Sequence, residues 1–265
     1  MSLQRVGFNI TYKCTLKCKL CGAGVPYIKG TIPHYTLEEF IKDVDVYFRV
    51  VDYVDVFNIT GGEPFIHSQL QNMIKYLQKY RENIGRLEIY TNGTISISDE
   101  IAEILRETRC KVVVDDYGNN LSTKVPHILS TLEKNKVMHE HRIYCTDKGD
   151  GVHCGGWVNI IDIAENQAGK EESKDFFRRC INANKVRCNN IIDGKMYICS
   201  FHYYCVNQGV ISDDAKYYVD LRNFDSIDQL KDKFEKISKL DCLPSCSFCN
   251  GFFHDSKRYV PAEQL

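Results

Sequence analysis

The sequence predicts an α/β chain in which about six βα units form an incomplete parallel barrel, a partial (β/α)6 barrel, followed by a small cysteine-rich unit. Three observations predict it. Short apolar strands alternate with amphipathic helices through the first 160 residues, which implies a parallel sheet with right-handed crossovers. Six such units are too few to close an eight-stranded barrel. From about Ala164 the composition shifts to a charged stretch and then to closely spaced cysteines without βα alternation, dividing the 265 residues into segments 1–163 and 164–265.

The elements follow in order. Val6 to Ile10 reads as a strand, and Thr36 to Val50 as a helix opened by a Thr36–Glu39 capping box. Tyr53 to Ile59 is a strand. His67 to Tyr80 is helical, with Leu70, Ile74 and Leu77 on one face. Leu87 to Tyr90 (strand), Ser98 to Glu107 (helix), Lys111 to Val114 (strand), Ser122 to Lys134 (helix) and His141 to Cys145 (strand) continue the alternation, with Trp157 to Ile161 as a sixth strand. Beyond it, Asn190 to Ser200 reads as a β-hairpin turning at Asp193-Gly194, because Asp-Gly favours a tight turn with positive φ. Ser226 to Leu240 reads as an amphipathic helix with Ile227, Leu230, Phe234 and Ile237 inward.

Composition narrows the function. Lys and Arg (34) nearly cancel Asp and Glu (35), so no overall field attracts nucleic acid or anionic membrane. No apolar run reaches the ~20 residues that span a bilayer, and no signal-peptide pattern opens the chain, so a cytoplasmic location is expected. In a reducing compartment, thirteen cysteines read as metal chemistry rather than disulfides.

Cys14, Cys18 and Cys21 form a C-x₃-C-x₂-C run. Three thiolates can hold a four-iron cluster while leaving one iron open for a small-molecule ligand; zinc, the other candidate, prefers four ligands in paired C-x₂-C knuckles. Forty residues after Cys21, directly after the second strand, stands Gly61-Gly62-Glu63-Pro64. On these two motifs residues 5 to 160 closely resemble the radical S-adenosylmethionine (SAM) superfamily. The resemblance implies a [4Fe–4S] cluster on Cys14, Cys18 and Cys21, chelated by SAM and able to cleave it reductively to a 5′-deoxyadenosyl radical. It also implies that Gly61, Gly62, Glu63 and Pro64 bind the cofactor, the main chain around Gly62 and Glu63 receiving the SAM ammonium group and Glu63 helping to fix the loop. Asn92, after the third strand, and Asp115 and Asp116, after the fourth, are expected to hydrogen-bond the ribose or carboxylate, although Asn-Gly and Asp-Asp also end strands as ordinary turns. Leu20 departs from the family, many of whose members have an aromatic residue before the last cluster cysteine.

The later cysteines resemble the SPASM/twitch auxiliary-cluster domains. In Cys180-x₁₃-Gly194-x₄-Cys199 a cysteine precedes a hairpin and another follows its turn, and Cys246-x₂-Cys249 supplies a further pair. The resemblance implies a second, auxiliary [4Fe–4S] cluster on these four, with Cys242 an alternative ligand and a zinc ribbon on the same sulfurs the rival. Cys110, Cys188 and Cys205 read as small buried hydrophobes. Cys145 and Cys154 fall at or beyond the fifth strand end, where a thiol can donate a hydrogen atom to a substrate radical. Arg142 there can orient a substrate hydroxyl or take up its proton, and Tyr144, His153 and Trp157 lie near the same mouth.

The expected activity is oxidation or epimerisation of a small polar substrate of the sugar, nucleotide-sugar or aminocyclitol class, as in the superfamily's aminocyclitol dehydrogenases. An external one-electron donor such as flavodoxin or ferredoxin would supply the electron. The rival activity is peptide modification, as in the maturases of ribosomal peptides and the sulfatase-activating enzymes. An early first strand leaves little room for a peptide-recognition module before it. A non-catalytic iron–sulfur or zinc-binding protein is the third alternative.

Overall fold

In the computed structural model, which describes residues 1–145, 153–163 and 168–265, five strands and their helices alternate as the apolar pattern implies. They are β1 (Ser2–Thr11), α1 (Leu37–Phe48), β2 (Tyr53–Gly61), α2 (Leu70–Tyr76), β3 (Ile84–Thr91), α3 (Asp99–Glu107), β4 (Cys110–Asp116), α4 (Val125–Lys134) and β5 (His139–Ile143). Neighbouring strands from β1 to β5 pair in parallel. Thr36 caps α1: its hydroxyl accepts from the Glu39 N–H at 3.2 Å while the Glu39 carboxylate accepts from the Thr36 N–H at 2.8 Å. The buried face of α1, with Phe40, Val44 and Tyr47, packs on Phe8 and Phe57 of the sheet. α2 is shorter than its apolar spacing implies. Tyr80 leaves helical geometry, stacks on Phe48 and donates to Asp45, so the last turn tightens to 3₁₀.

The second half begins with β6 (Trp157–Val158), α5 (Lys170–Arg179), β7 (Cys188–Ile192) and β8 (Lys195–Tyr197). It ends with α6 (Ser200–Gln208), β9 (Val219–Asp220), α7 (Ile227–Ser238) and β10 (Arg258–Tyr259). Here the expected sixth barrel strand is corrected: β6 does not join the parallel sheet but pairs antiparallel with β10. The sheet instead grows past β1, where β7 pairs in parallel, giving the order β5-β4-β3-β2-β1-β7-β8-β9. A five-residue stretch of mainly apolar residues does not specify its partner, and in this fold that edge of β1 is taken by the hairpin. The Asp193-Gly194 turn connects β7 to β8 with both residues at positive φ, 47° and 74°. The division expected at 163/164 falls outside the described residues, but the β1–β7 ladder joins the two segments in one sheet.

A buried ion pair locks the added strands to the barrel. Asp43 on α1 is fully buried and accepts from Arg222 Nε and Nη2 at 3.0 and 2.9 Å. Arg222 Nη1 also reaches Asp193 of the hairpin turn at 2.7 Å. No helix of the described residues is long and apolar enough to cross a membrane.

Candidate iron–sulfur and S-adenosylmethionine site

β1 buries Val6, Phe8 and Ile10 against the helices, so alternation turns Arg5, Gly7, Asn9 and Thr11 to the opposite face. β3 and β4 alternate likewise, burying Leu87, Ile89, Val112 and Val114, and the concave face, to which β5 adds Glu140 and Arg142, is largely polar. Arg5 Nη1 lies 3.5 Å from Glu88 and 3.2 Å from the Tyr90 hydroxyl. Lys111 bridges Glu88 and Glu140, and Arg142 donates through Nε to Glu140 at 2.6 Å with its guanidinium 5.3 Å from the Tyr90 ring centre. Hydrogen bonds from Arg142 and Lys111 hold the Glu140 carboxyl down at about 2.

At the C-terminal ends of the strands this face meets the Cys14–Cys21 loop. The loop is held by the Gly-Gly-Glu turn: Gly62 N–H donates to the Thr11 carbonyl at 2.7 Å and Glu63 N–H to the Lys13 carbonyl at 2.9 Å. Both glycines are sterically obligatory. A Cβ on Gly61, at φ 146°, would stand 2.0 Å from the Thr11 carbonyl oxygen, and one on Gly62 2.3 Å from that of Lys13. Glu63 is fully buried and ties its own turn to the end of β3, accepting from Phe65 N–H at 3.1 Å, Thr91 hydroxyl at 3.0 Å and Asn92 N–H at 2.8 Å. Burial raises its carboxyl to about 7 against those bonds. Pro64 opens the short 3₁₀ turn that follows. Asn92 in turn donates through Nδ2 to Thr15 at 3.1 Å and to the Cys14 sulfur at 3.6 Å.

The two aspartates separate. Asp116 is occupied on both oxygens, by Gly118 N–H and by His141, each at 2.9 Å. Asp115 faces Arg142 across the β4–β5 register, and its buried Oδ1 has no partner. Burial raises its carboxyl to about 7, with Arg142 opposing. The unfolded chain releases that proton near 4, so Asp115 contributes stability at low pH that is lost as pH rises through 7. Asp115→Asn removes this loss. In urea titrations without SAM, the stability of the variant relative to wild type is expected to increase from pH 5 to pH 8.

Around this mouth Tyr117, Tyr144 and Trp157 are in edge or tilted ring contact, with His153 against Tyr144. Tyr117 carries no sequence signal, yet it packs on the group formed by Cys14, Cys18, Cys21 and Leu16. Leu20 packs beside Ile161, Phe201 and Tyr204. Of the two cysteines considered for hydrogen donation, Cys145 places its sulfur 3.7 Å from the Pro261 carbonyl and Cys154 is exposed.

The structure also brings Cys180, Cys199, Cys246 and Cys249 around one apolar cavity with Phe176 and Leu243. α5 ends at Cys180, the hairpin delivers Cys199, and a 3₁₀ turn carries Cys246 into Cys249. Main-chain N–H groups already point at two of the sulfurs, Leu243 at Cys246 (3.4 Å) and Gly251 at Cys249 (3.3 Å). Desolvation raises the Cys199 thiol to about 12 and that of Cys249 to about 11. Cys242 is not among the residues lining the cavity. Among the described residues no three His, Cys, Asp or Glu side chains converge on a point that a metal ion would fill.

Comparison with known proteins agrees with this geometry. Residues 8–116 match the model of the Radical SAM superfamily. The chain is 29% identical over 119 residues to the antilisterial bacteriocin subtilosin biosynthesis protein AlbA of Bacillus subtilis (strain 168), covering 44% of this chain and 25% of that one. It is 22% identical over 182 residues to the GTP 3′,8-cyclase of Sulfurovum sp. (strain NBC37-1), covering 68% of this chain and 52% of that one. It therefore spans only a quarter to a half of these relatives. Among solved structures, BtrN in complex with AdoMet and 2-DOIA superposes with a TM-score of 0.55 at 15% identity, over 99% of this chain and 98% of that one. The anSMEcpe enzyme with bound AdoMet and the Cp18Cys peptide gives 0.58 at 15% identity, over 100% and 93%. The fold of both is shared along nearly the whole chain.

The family implies a [4Fe–4S] cluster and SAM, and the residues present suit both: an all-sulfur donor set with N–H donors beside it, and an unpartnered buried carboxylate oxygen at the mouth. Over residues 8–116 the chain carries the domain of the radical SAM superfamily.

Proposed function

We propose that this protein is a radical SAM oxidoreductase that oxidises a small, polar, hydroxyl-bearing substrate. In this reading Cys14, Cys18 and Cys21 hold the SAM-binding cluster and Cys180, Cys199, Cys246 and Cys249 an auxiliary one. The observation that carries it is the concave face itself: Arg5, Glu88, Tyr90, Lys111, Glu140 and Arg142 form a continuous polar lining below the cysteine loop. Such a lining offers donors and acceptors to several hydroxyls at once and favours a sugar or aminocyclitol over an apolar side chain. When bound, the cluster and SAM supply a 5′-deoxyadenosyl radical, given one electron from an external donor, and that radical removes a hydrogen atom from a substrate carbon.

The chain's own residues do the rest. Glu63 and Asn92 fix the loop against the strand ends, so the reacting carbon is presented to one point. Tyr117, Tyr144 and Trp157 wall the mouth from water. Loss of the hydroxyl proton and one further electron would turn the substrate radical into a ketone; in this reading Asp115, across from Arg142, accepts that proton and the four-cysteine cavity houses the electron acceptor. Epimerisation would instead return a hydrogen atom to the carbon, with no net oxidation.

The test is SAM cleavage by the anaerobically reconstituted, reduced protein against a panel of polyols, aminocyclitols and nucleotide sugars, and a parallel panel of peptides. A stimulation of roughly tenfold or more in 5′-deoxyadenosine by one polyol, with ketone product, is expected; solvent deuterium in an unoxidised product would mark epimerisation. The peptide reading has its own support in the subtilosin biosynthesis relative and in the peptide-bound fold neighbour. Stimulation by peptides alone would replace the polyol reading with it.

A further inference from the structure

The last residues of the chain close over the cysteine loop in a way that nothing in the loop's own sequence requires. After β10 the chain runs back to the barrel as a strap. The strap is pinned by two main-chain hydrogen bonds, Lys19 N–H to the Glu263 carbonyl at 2.7 Å and Leu265 N–H to the Lys17 carbonyl at 2.9 Å, which set Cys18 opposite Gln264 in an antiparallel bridge. Ala262 is fully buried at positive φ (55°), packed with Leu16 and Cys18. Lys19 pairs with Glu263 outside. One side chain of the strap turns inward. Gln264 accepts from Lys17 N–H through Oε1 at 2.7 Å, and its Nε2 lies 3.4 Å from the Cys18 sulfur.

We propose that this strap is a wall of the first iron–sulfur site and that Gln264 is a positioning residue which sets the cluster's reduction potential by donating its amide N–H to the Cys18 sulfur. The inference rests on the reading of Cys14, Cys18 and Cys21 as cluster ligands. Reduction adds negative charge to the cluster and its sulfurs, and an N–H donor favours the more negative state, so the bond raises the potential. The amide is fixed for this task. Its oxygen is held by Lys17, next to Cys18 in the chain, and its nitrogen donates also to the Ala262 carbonyl at 2.6 Å. The same segment reaches the substrate side of the barrel, since the Pro261 carbonyl receives the Cys145 thiol.

The experiment is an EPR-monitored redox titration of the reconstituted full chain, following the signal that SAM perturbs, with iron counted in each sample. Gln264→Ala removes both bonds of the side chain. Gln264→Glu keeps an oxygen for Lys17 N–H but has no N–H for the sulfur and adds a charge. Both variants should keep the wild-type iron content and titrate at lower potential, Gln264→Glu lowest. For Gln264→Ala the reduced-to-oxidised ratio at a fixed applied potential should fall roughly fivefold, the weight of one ordinary hydrogen bond. Wild-type midpoints in both variants would overturn the proposal. So would loss of iron with the remaining cluster titrating as wild type, because the strap would then be only a structural tie. A wild-type protein with no SAM-responsive signal would overturn the site reading together with this inference, whereas a normal wild-type signal with unmoved variants would overturn the inference alone.

Discussion

Replacing Cys14, Cys18 and Cys21 together with alanine is expected to lower the iron of the anaerobically reconstituted protein from about eight to about four per chain, with sulfide falling in parallel, and to abolish SAM cleavage. The expectation follows from two separate thiol groups. Cys14, Cys18 and Cys21 pack with Leu16 and Ala262 under the strap, while Cys180, Cys199, Cys246 and Cys249 surround a cavity of their own. Their elements differ, so emptying the first should leave the second loaded. Iron and labile-sulfide assays on both proteins check it. A fall from about four irons to none, with zinc bound in both, would make the second site a zinc ribbon and remove the electron acceptor from the proposed oxidation.

Gly62→Ala is expected to cost about 3 kcal/mol of stability or more and to prevent reconstitution of the first cluster. The added methyl would stand 2.3 Å from the Lys13 carbonyl oxygen and 2.9 Å from Cys14 Cβ. Main chain cannot yield there without moving Cys14. The turn also holds Glu63, whose three bonds are its neighbours' means of satisfying buried donors. Urea titration and iron content together test it, with Gly169→Ala as control because a Cβ added there would meet no atom within 4 Å. Wild-type stability and iron loading in Gly62→Ala would show that the turn can shift freely and that its glycines serve something other than close approach.

Legibility in the sequence varied with the range of the interaction. α1 was readable to its first residue, because the Thr36–Glu39 box is a local pattern that the chain satisfies within four residues. β1 to β4 were readable because each carries a run of apolar residues bounded by turn chemistry, whereas β5, His139–Ile143, has Ile143 as its one apolar residue and starts two residues before the expected His141. Trp157 to Ile161 looks equally strand-like, but its partner is Arg258–Tyr259, about a hundred residues away and too short to announce itself. α6 was not anticipated, since Phe201, His202, Tyr204 and Cys205 are all buried and leave no polar stripe to mark a period. At the site, spacing was enough to single out which cysteines belong together as candidates, and strand ends pointed to Asn92 and Asp115. It could not show that Asp116 is consumed by His141 and Gly118, or that the Gly-Gly pair is demanded by the approach of the cysteine loop. Gln264 had no signal at all: an amide side chain is informative only once the fold lays it beside a sulfur 246 residues earlier.

The hairpin β7–β8 lies in the same sheet as β1, and this has a kinetic meaning. β1 leads directly into Cys14 and β8 into Cys199, with only β7 between them. Strands in a ladder sit about 4.8 Å apart and rise about 3.3 Å per residue, and the register sets Tyr197 level with Asn190 and Gly7, four residues short of Thr11, so the two launching points are separated by roughly 16 Å across and along a lattice of hydrogen bonds. Two redox centres mounted on such a ruler would keep a fixed tunnelling gap throughout turnover. Transfer between them would then need no hinge or docking motion, and solvent viscosity should leave its rate untouched while slowing substrate entry and product departure.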